Sequence, residues 1–193
     1  MSKAALLFLA SFLSFASMAA AAPISYDVTV DSSSISGTAG SLDFEFNPGP
    51  LVTQAASLQI LDFASDGILA GSPMLTGDVS GALPATLTFD NGTGFNDYFE
   101  SFAFGSTLSF QVSLYGPVLS TPDGTSTSGS TFAFSMFSDA TGTTPVLTAN
   151  TTEGFAFTVD VNLDGTTTVT NFSEQTTVVP PTTPAVPEPG TCH

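Results

Sequence analysis

The chain has 193 residues, 42% of them hydrophobic, which is enough apolar material for one domain with a core of its own. It carries 17 acidic residues against one basic residue, Lys3, and a formal net charge of −16. That balance excludes nucleic acid as a partner, because phosphate binding needs cations on the protein, and it disfavours anionic membrane surfaces.

Residues 1–21 read as a secretory signal peptide. Lys3 supplies the positive start and Ala4 to Phe15 the apolar run. Ala19-Ala20-Ala21 fits the small-residue cleavage pattern, with Ala22 as the new N-terminus; Ser17-Met18-Ala19 gives a second option, a cut after Ala19. The apolar run is short of the roughly 20 residues that a spanning helix needs. Removal of this segment takes away Lys3, so the mature chain is expected to have no Lys or Arg. Its stability must then rest on apolar burial and backbone hydrogen bonds.

From Ile24 the pattern alternates with a period of two, which puts one face of a strand in a core and the other in water. Ile24 to Val30 and Leu42 to Phe46 alternate cleanly, and Leu58 to Phe63 less strictly. Leu75 to Val79 reads as a short edge strand, followed by Leu83 to Phe89, Leu108 to Tyr115, Phe132 to Phe137, Phe155 to Val161 and Thr167 to Phe172. Turn residues separate them, among them Asn47-Pro48-Gly49-Pro50, Asp66-Gly67, Asn91-Gly92, Pro122-Asp123-Gly124 and Asp164-Gly165. About nine or ten short strands with no helices between them predict an all-β fold, an antiparallel β-sandwich of the jelly-roll or immunoglobulin-like kind, over residues 22–173. The 18 Phe residues are expected to fill the space between its sheets, while the absence of Trp and of a second cysteine argues against a true antibody-type domain.

Residues 174–185 change composition. The Pro/Thr run from Thr176 to Pro184 is expected to form an extended polyproline-type stalk. Residues 186–193 form the tail, which contains Cys192, the only cysteine, and His193, the only histidine. No internal disulfide can form.

Candidate sites are few. Asp160, Asn162 and Asp164, with Gly165, match the first half of a calcium loop, in which alternate oxygens converge on a hard cation. The twelfth position is Asn171 and the flanks alternate as strands, so a hairpin turning at Asp164-Gly165 is the stronger reading. Calcium remains the one candidate cofactor. Gly92 to Glu100 reads as a long loop with Phe95, Asp97 and Tyr98 as a candidate ligand lip, Phe99 and Glu100 beside them; the competing reading is an aromatic plug under the loop. Ser120 to Ser130 is the second long loop. Three Asn-x-Ser/Thr sequons, at Asn91, Asn150 and Asn171, would mark glycosylation sites in a eukaryotic chain and are chance matches of a Thr-rich sequence in a bacterial one.

Catalysis is not expected. With one terminal histidine and no lysine in the body, no Ser-His-Asp, Cys-His or Ser-Lys arrangement can be built, and zinc lacks ligands. Paired carboxylates for glycoside hydrolysis are the remaining catalytic option. With no basic partner, carboxylate pKa values should not be depressed by salt bridges, mutual repulsion should raise some of them, and the fold should tolerate mild acid.

The tail Val186-Pro187-Glu188-Pro189 resembles the opening of the PEP-CTERM sorting signal of exported proteins in some Gram-negative bacteria. The body resembles a recurring group of PEP-CTERM proteins through Gly40 to Gly49, Phe104 to Phe110, Ser130 to Phe134 and Gly142 to Pro145. The resemblance implies export by the general secretory route to the cell surface or beyond, and association with extracellular polysaccharide or biofilm. It also implies an exosortase-type processing enzyme as a partner of the tail. In that family a transmembrane helix and an Arg-rich end follow the motif. The sequence carries neither after Pro189, so no stable membrane anchor is expected in it. The leading expectation is a structural protein of the surface or matrix; a glycan- or calcium-binding module is the alternative.

Overall fold

The computed structural model describes residues 22–180. It is an antiparallel β-sandwich of two sheets. In chain order the strands are β1 (Ile24–Asp31), β2 (Ala39–Pro48), β3 (Ser57–Ser65), β4 (Ile68–Leu69), β5 (Met74–Thr76), β6 (Val79–Gly81), β7 (Leu87–Asp90), β8 (Asp97–Ala103), β9 (Thr107–Tyr115), β10 (Ser130–Phe137), β11 (Phe155–Val161), β12 (Thr167–Asn171) and β13 (Thr176–Val179). One sheet runs β13-β1-β9-β3-β7-β6. The other runs β12-β11-β10-β2-β8-β4, with β5 also paired to β8.

The alternation read from the sequence sets the two faces. Val28 and Val30 of β1, Leu42, Phe44 and Phe46 of β2, and Phe132 and Phe134 of β10 all point inward and are buried. Phe110 of β9 crosses the gap between the sheets. Its ring meets Phe44 at 5.3 Å and Phe134 at 5.0 Å between centroids, both edge to face, and lies 6.4 Å from Phe157. Edge-to-face contact suits the aromatic quadrupole, so these phenylalanines contribute geometry as well as buried area.

Several features depart from the sequence reading. The run read as a stalk begins instead with β13, which pairs with β1 from Val30↔Thr176 to Asp27↔Val179, so the domain extends past residue 173. Val178 packs inward against the core, and sheet hydrogen bonding outweighs the turn-like composition. The ladder stops at a proline. Asp31 N–H donates to Gln175 O at 2.9 Å, so the bonded rungs fall on alternate residues and the next would need an N–H from Pro181.

Gly92 to Glu100 is not all loop, because β8 begins at Asp97. The Leu75 to Val79 strand is two strands, β5 and β6, around Gly77 at φ +74°. A single helical turn, α1 (Pro117–Ser120), follows β9 where the sequence pattern predicts none; Pro117 at its first position fits the fixed φ of proline.

A long connection, residues 138–154, joins β10 to β11 and lies across the outer face of the second sheet. Ser41 Oγ on β2 donates to Asp139 O at 2.8 Å, Val146 N–H to Met136 O at 2.9 Å, and a Cβ on Gly142 would lie 2.9 Å from the Phe99 ring of β8.

Candidate functional site

The outer face of the second sheet carries a trough that crosses β5, β8, β2 and β10. Strand alternation builds it. Turning Leu42, Phe44 and Phe46 inward turns Asp43, Glu45 and Asn47 outward, and turning Tyr98 and Phe102 inward turns Asp97 and Phe99 outward. The register of β2 with β8 sets Asp43 opposite Phe99 and Glu45 opposite Asp97. Met74 of β5 sits opposite Phe99 on the far side.

Asp43, Met74, Asp97, Phe99 and the segment from Ala140 to Gly142 enclose a cavity of about 470 Å³. Across β2, Glu45, Asn47, Thr131, Ala133 and Phe155 line a second depression of about 310 Å³. The carboxylates therefore lie between two apolar flanks, Phe99 with Met74 on one side and Phe155 on the other.

No Lys or Arg is present from residue 22 to residue 180, so these acids have no cationic partner within the described chain. The side chains of Asp43 and Asp97 hydrogen bond to each other. Oδ1 of each is buried with no other partner among the described residues. Burial pushes Asp43 well above the usual carboxylate range, and the shared hydrogen bond and the charges of Asp97 and Glu45 push it the same way. Burial also raises Asp97. Glu45 is raised by burial first, then by the charge of Asp97, with its 2.8 Å hydrogen bond from Asn47 Nδ2 opposing. Like charges this close oppose full ionisation, which favours a proton held on the pair. Chemically, such a site can hold a proton near neutral pH or release it to a cationic or hydrogen-bonding ligand.

The surface acids shift the other way, through hydrogen bonds and not through salt bridges. Asp139 accepts from the N–H groups of Thr141, Thr143 and Thr144 and from two threonine hydroxyls, and is held well below the ordinary range, first by its bond from the Thr141 hydroxyl. Asp123 is lowered to about 2 by N–H donors from Ser126 and Thr125. Asp31 and Asp164 are lowered first by the hydroxyls of Ser33 and Thr166 and then by the N–H groups of the same residues, and Asp66 by the N–H groups of Thr107 and Ser106. Backbone amides supply the positive dipoles that missing cations do not.

The candidate lip is split by the pleat. Asp97 enters the trough and Phe95 is 48% exposed in the preceding loop. Tyr98 is not a lip residue: it is fully buried on the inner face, where its hydroxyl bonds Glu100 and accepts from Leu83 N–H at 3.1 Å. Burial pushes the Tyr98 phenol up.

Asp160, Asn162 and Asp164 do not converge either. Asp160 accepts from Thr131 Oγ1 at 2.6 Å across the sheet. Asn162 donates its amide to Thr166 and Thr168, and Asp164 accepts from Thr166 N–H at 3.0 Å. The segment is a β-hairpin turn with Gly165 at φ +80°. Among the described residues no group of three His, Cys, Asp or Glu side chains is placed to hold a metal ion. Val186, Pro187, Glu188 and Pro189 lie outside the described residues.

The sequence pattern does not single out Asp43, Glu45 or Phe155 as site residues. Asp43 and Glu45 carry a signal only as outward positions of an alternating strand, and it takes the strand order to put them beside Asp97. Comparison with protein-family models, curated proteins and solved structures finds no match.

Proposed function

We propose that this chain is an exported protein of the cell surface or extracellular matrix, whose sandwich acts by binding and assembly and not by catalysis. The leader-like N-terminus and the Val186–Pro189 segment support export. The observation that carries the non-catalytic reading is the chemistry of the trough. Its charged groups are all carboxylates, with no cation to stabilise developing negative charge, which leaves carboxylate-pair hydrolysis of a glycoside as the one catalytic alternative. Fractionation of the native host, with an antibody to the folded domain, tests it. Recovery with the surface or matrix polysaccharide is expected; recovery only from the cytoplasm would end the proposal. An exosortase-type enzyme is the proposed partner of the tail, and intact-mass measurement of the exported protein reads whether the chain still ends at His193.

A second reading is favoured by the flanks of the trough. Phe99, Met74 and Phe155 offer apolar surface beside Asp43, Glu45, Asp97 and Asn47, the mixture that a neutral sugar chain meets with its C–H faces and its hydroxyls. A glycan-binding role predicts retarded migration in gels cast with neutral exopolysaccharide, lost in Phe99→Ala at unchanged melting temperature. Equal migration of the native chain with and without polysaccharide would remove this reading.

A further inference from the structure

A further depression is remote from the trough. It lies over the outer face of the first sheet, where β1 begins and β9 ends, and encloses about 670 Å³. Pro23, Tyr115, Pro117 and Leu119 give it an apolar wall, with Gln59 and Ser113 as its polar groups. Ser113, 5% exposed, lines the depression, and its hydroxyl can donate into it. The lining contains no carboxylate. The depressions at Asp160, at Asp27 and Asp62, at Asp43 and Asp97, and at Glu45 all do.

We propose that this groove is the docking site for the chain's own C-terminal segment, residues 184–189, Pro-Ala-Val-Pro-Glu-Pro. Three observations select that occupant. The first is reach. β13 runs antiparallel to β1 with Val179 opposite Asp27, so the chain leaves the sheet heading toward Pro23. Four further residues cover the distance from the level of Asp27 to that of Pro23. Crossing β1 to β9 adds about 10 Å, or about three residues of polyproline helix. Residues 184–189 then arrive over Tyr115.

The second is face. Val179 is 47% exposed and shares the outer side of the sheet with Asp27, the side that carries the groove. The third is chemistry. Proline-rich segments seat their rings against aromatic and proline walls and need only a few donors for their carbonyls, which Ser113 and the Gln59 amide supply. An acidic segment finds here a depression with no carboxylate among its described lining residues.

Cys192 makes the test direct, because a nitroxide attached to the only cysteine reports from the end of the segment. Amide signals of Ser113, Tyr115 and Leu119 in the full chain are expected to lose more than half of their intensity in the oxidised label relative to the reduced one. Pro184→Gly with Pro187→Gly, which touches no residue of the folded domain, should restore that intensity. Tyr115→Ala should do the same. Broadening spread evenly over the molecule, or absent from these amides, would overturn the proposal. So would broadening that appears only in a mixture of labelled and isotope-enriched molecules, which would assign the groove to the tail of a second copy.

Discussion

Asp43 and Asp97 hydrogen bond to each other across β2 and β8, although both are acids and the described chain holds no Lys or Arg to relieve them. A proton shared between the carboxyls relieves the repulsion between two acids on adjacent strands. The pH behaviour follows from it. Asp43, Glu45 and Asp97 have folded pKa values raised above their unfolded values. Their contribution to stability is therefore fully present below about pH 4 and is lost as pH rises through the folded values. Asp31, Asp66, Asp123, Asp139 and Asp164 are lowered. Theirs is present above about pH 4 and lost as pH falls, for Asp123 through about 2. The melting temperature should peak at about pH 4–5 and decline toward pH 8. A melting temperature that climbs steadily from pH 5 to pH 8 would contradict this.

Asp97→Asn replaces the shared proton with a permanent amide donor to Asp43. It should raise the melting temperature at pH 8, where the pair is most strained, by about 2–4 °C for each kcal/mol recovered. It should also flatten the decline between pH 5 and pH 8. Calorimetry of the two proteins at both pH values reads the difference, and an identical slope in each would place the titration elsewhere.

Phe110→Ala removes the ring that joins the two layers through Phe44, Phe134 and Phe157. The loss should be about 3–5 kcal/mol, the range for buried aromatic truncations that leave a cavity. Urea unfolding gives the value directly. A cost below about 1 kcal/mol would mean that the layers repack without it.

Asn96 is fully buried and ties three segments together. Its Nδ2 donates to Phe46 O and Thr93 O, its Oδ1 accepts from Asp78 N–H, and its own N–H donates to Asn47 Oδ1. Asn96→Ala should cost about 2–3 kcal/mol by leaving backbone groups unpaired. The amides of Asp78 and its neighbours should exchange with solvent faster, which distinguishes a lost tie from a uniform loss of stability.

At the β11–β12 turn, Gly165 holds φ +80°, and a Cβ there would lie 2.8 Å from Val118 O. Gly165→Ala should cost at least about 1 kcal/mol from the backbone conformation alone. Calcium should not shift the melting temperature of the native chain through this turn, because Asp160, Asn162 and Asp164 are each committed to local partners. A calcium-dependent rise abolished by Asp164→Asn would restore the loop as a metal site.

The fold class is legible in the sequence, because a two-residue hydrophobic period can be satisfied only by strands with one buried face. The inward residues of β1, β2 and β10 are legible for the same reason, since each strand's alternation is local. Thr176 to Val179 is not, because neighbouring prolines give it the look of a stalk, and only the free edge of β1 makes a strand of it. Asp97 and Tyr98 look alike as neighbours in a loop, whereas the pleat sends them to opposite sides of the sheet. Asp43, Glu45, Asp97 and Phe99 become a site only through the β2–β8 register, and the Pro23–Tyr115 groove forms only through the β1–β9 pairing. Those pairings join residues tens of positions apart. They are selected by the packing of the whole core and by no pattern within either strand, so tertiary structure alone places them.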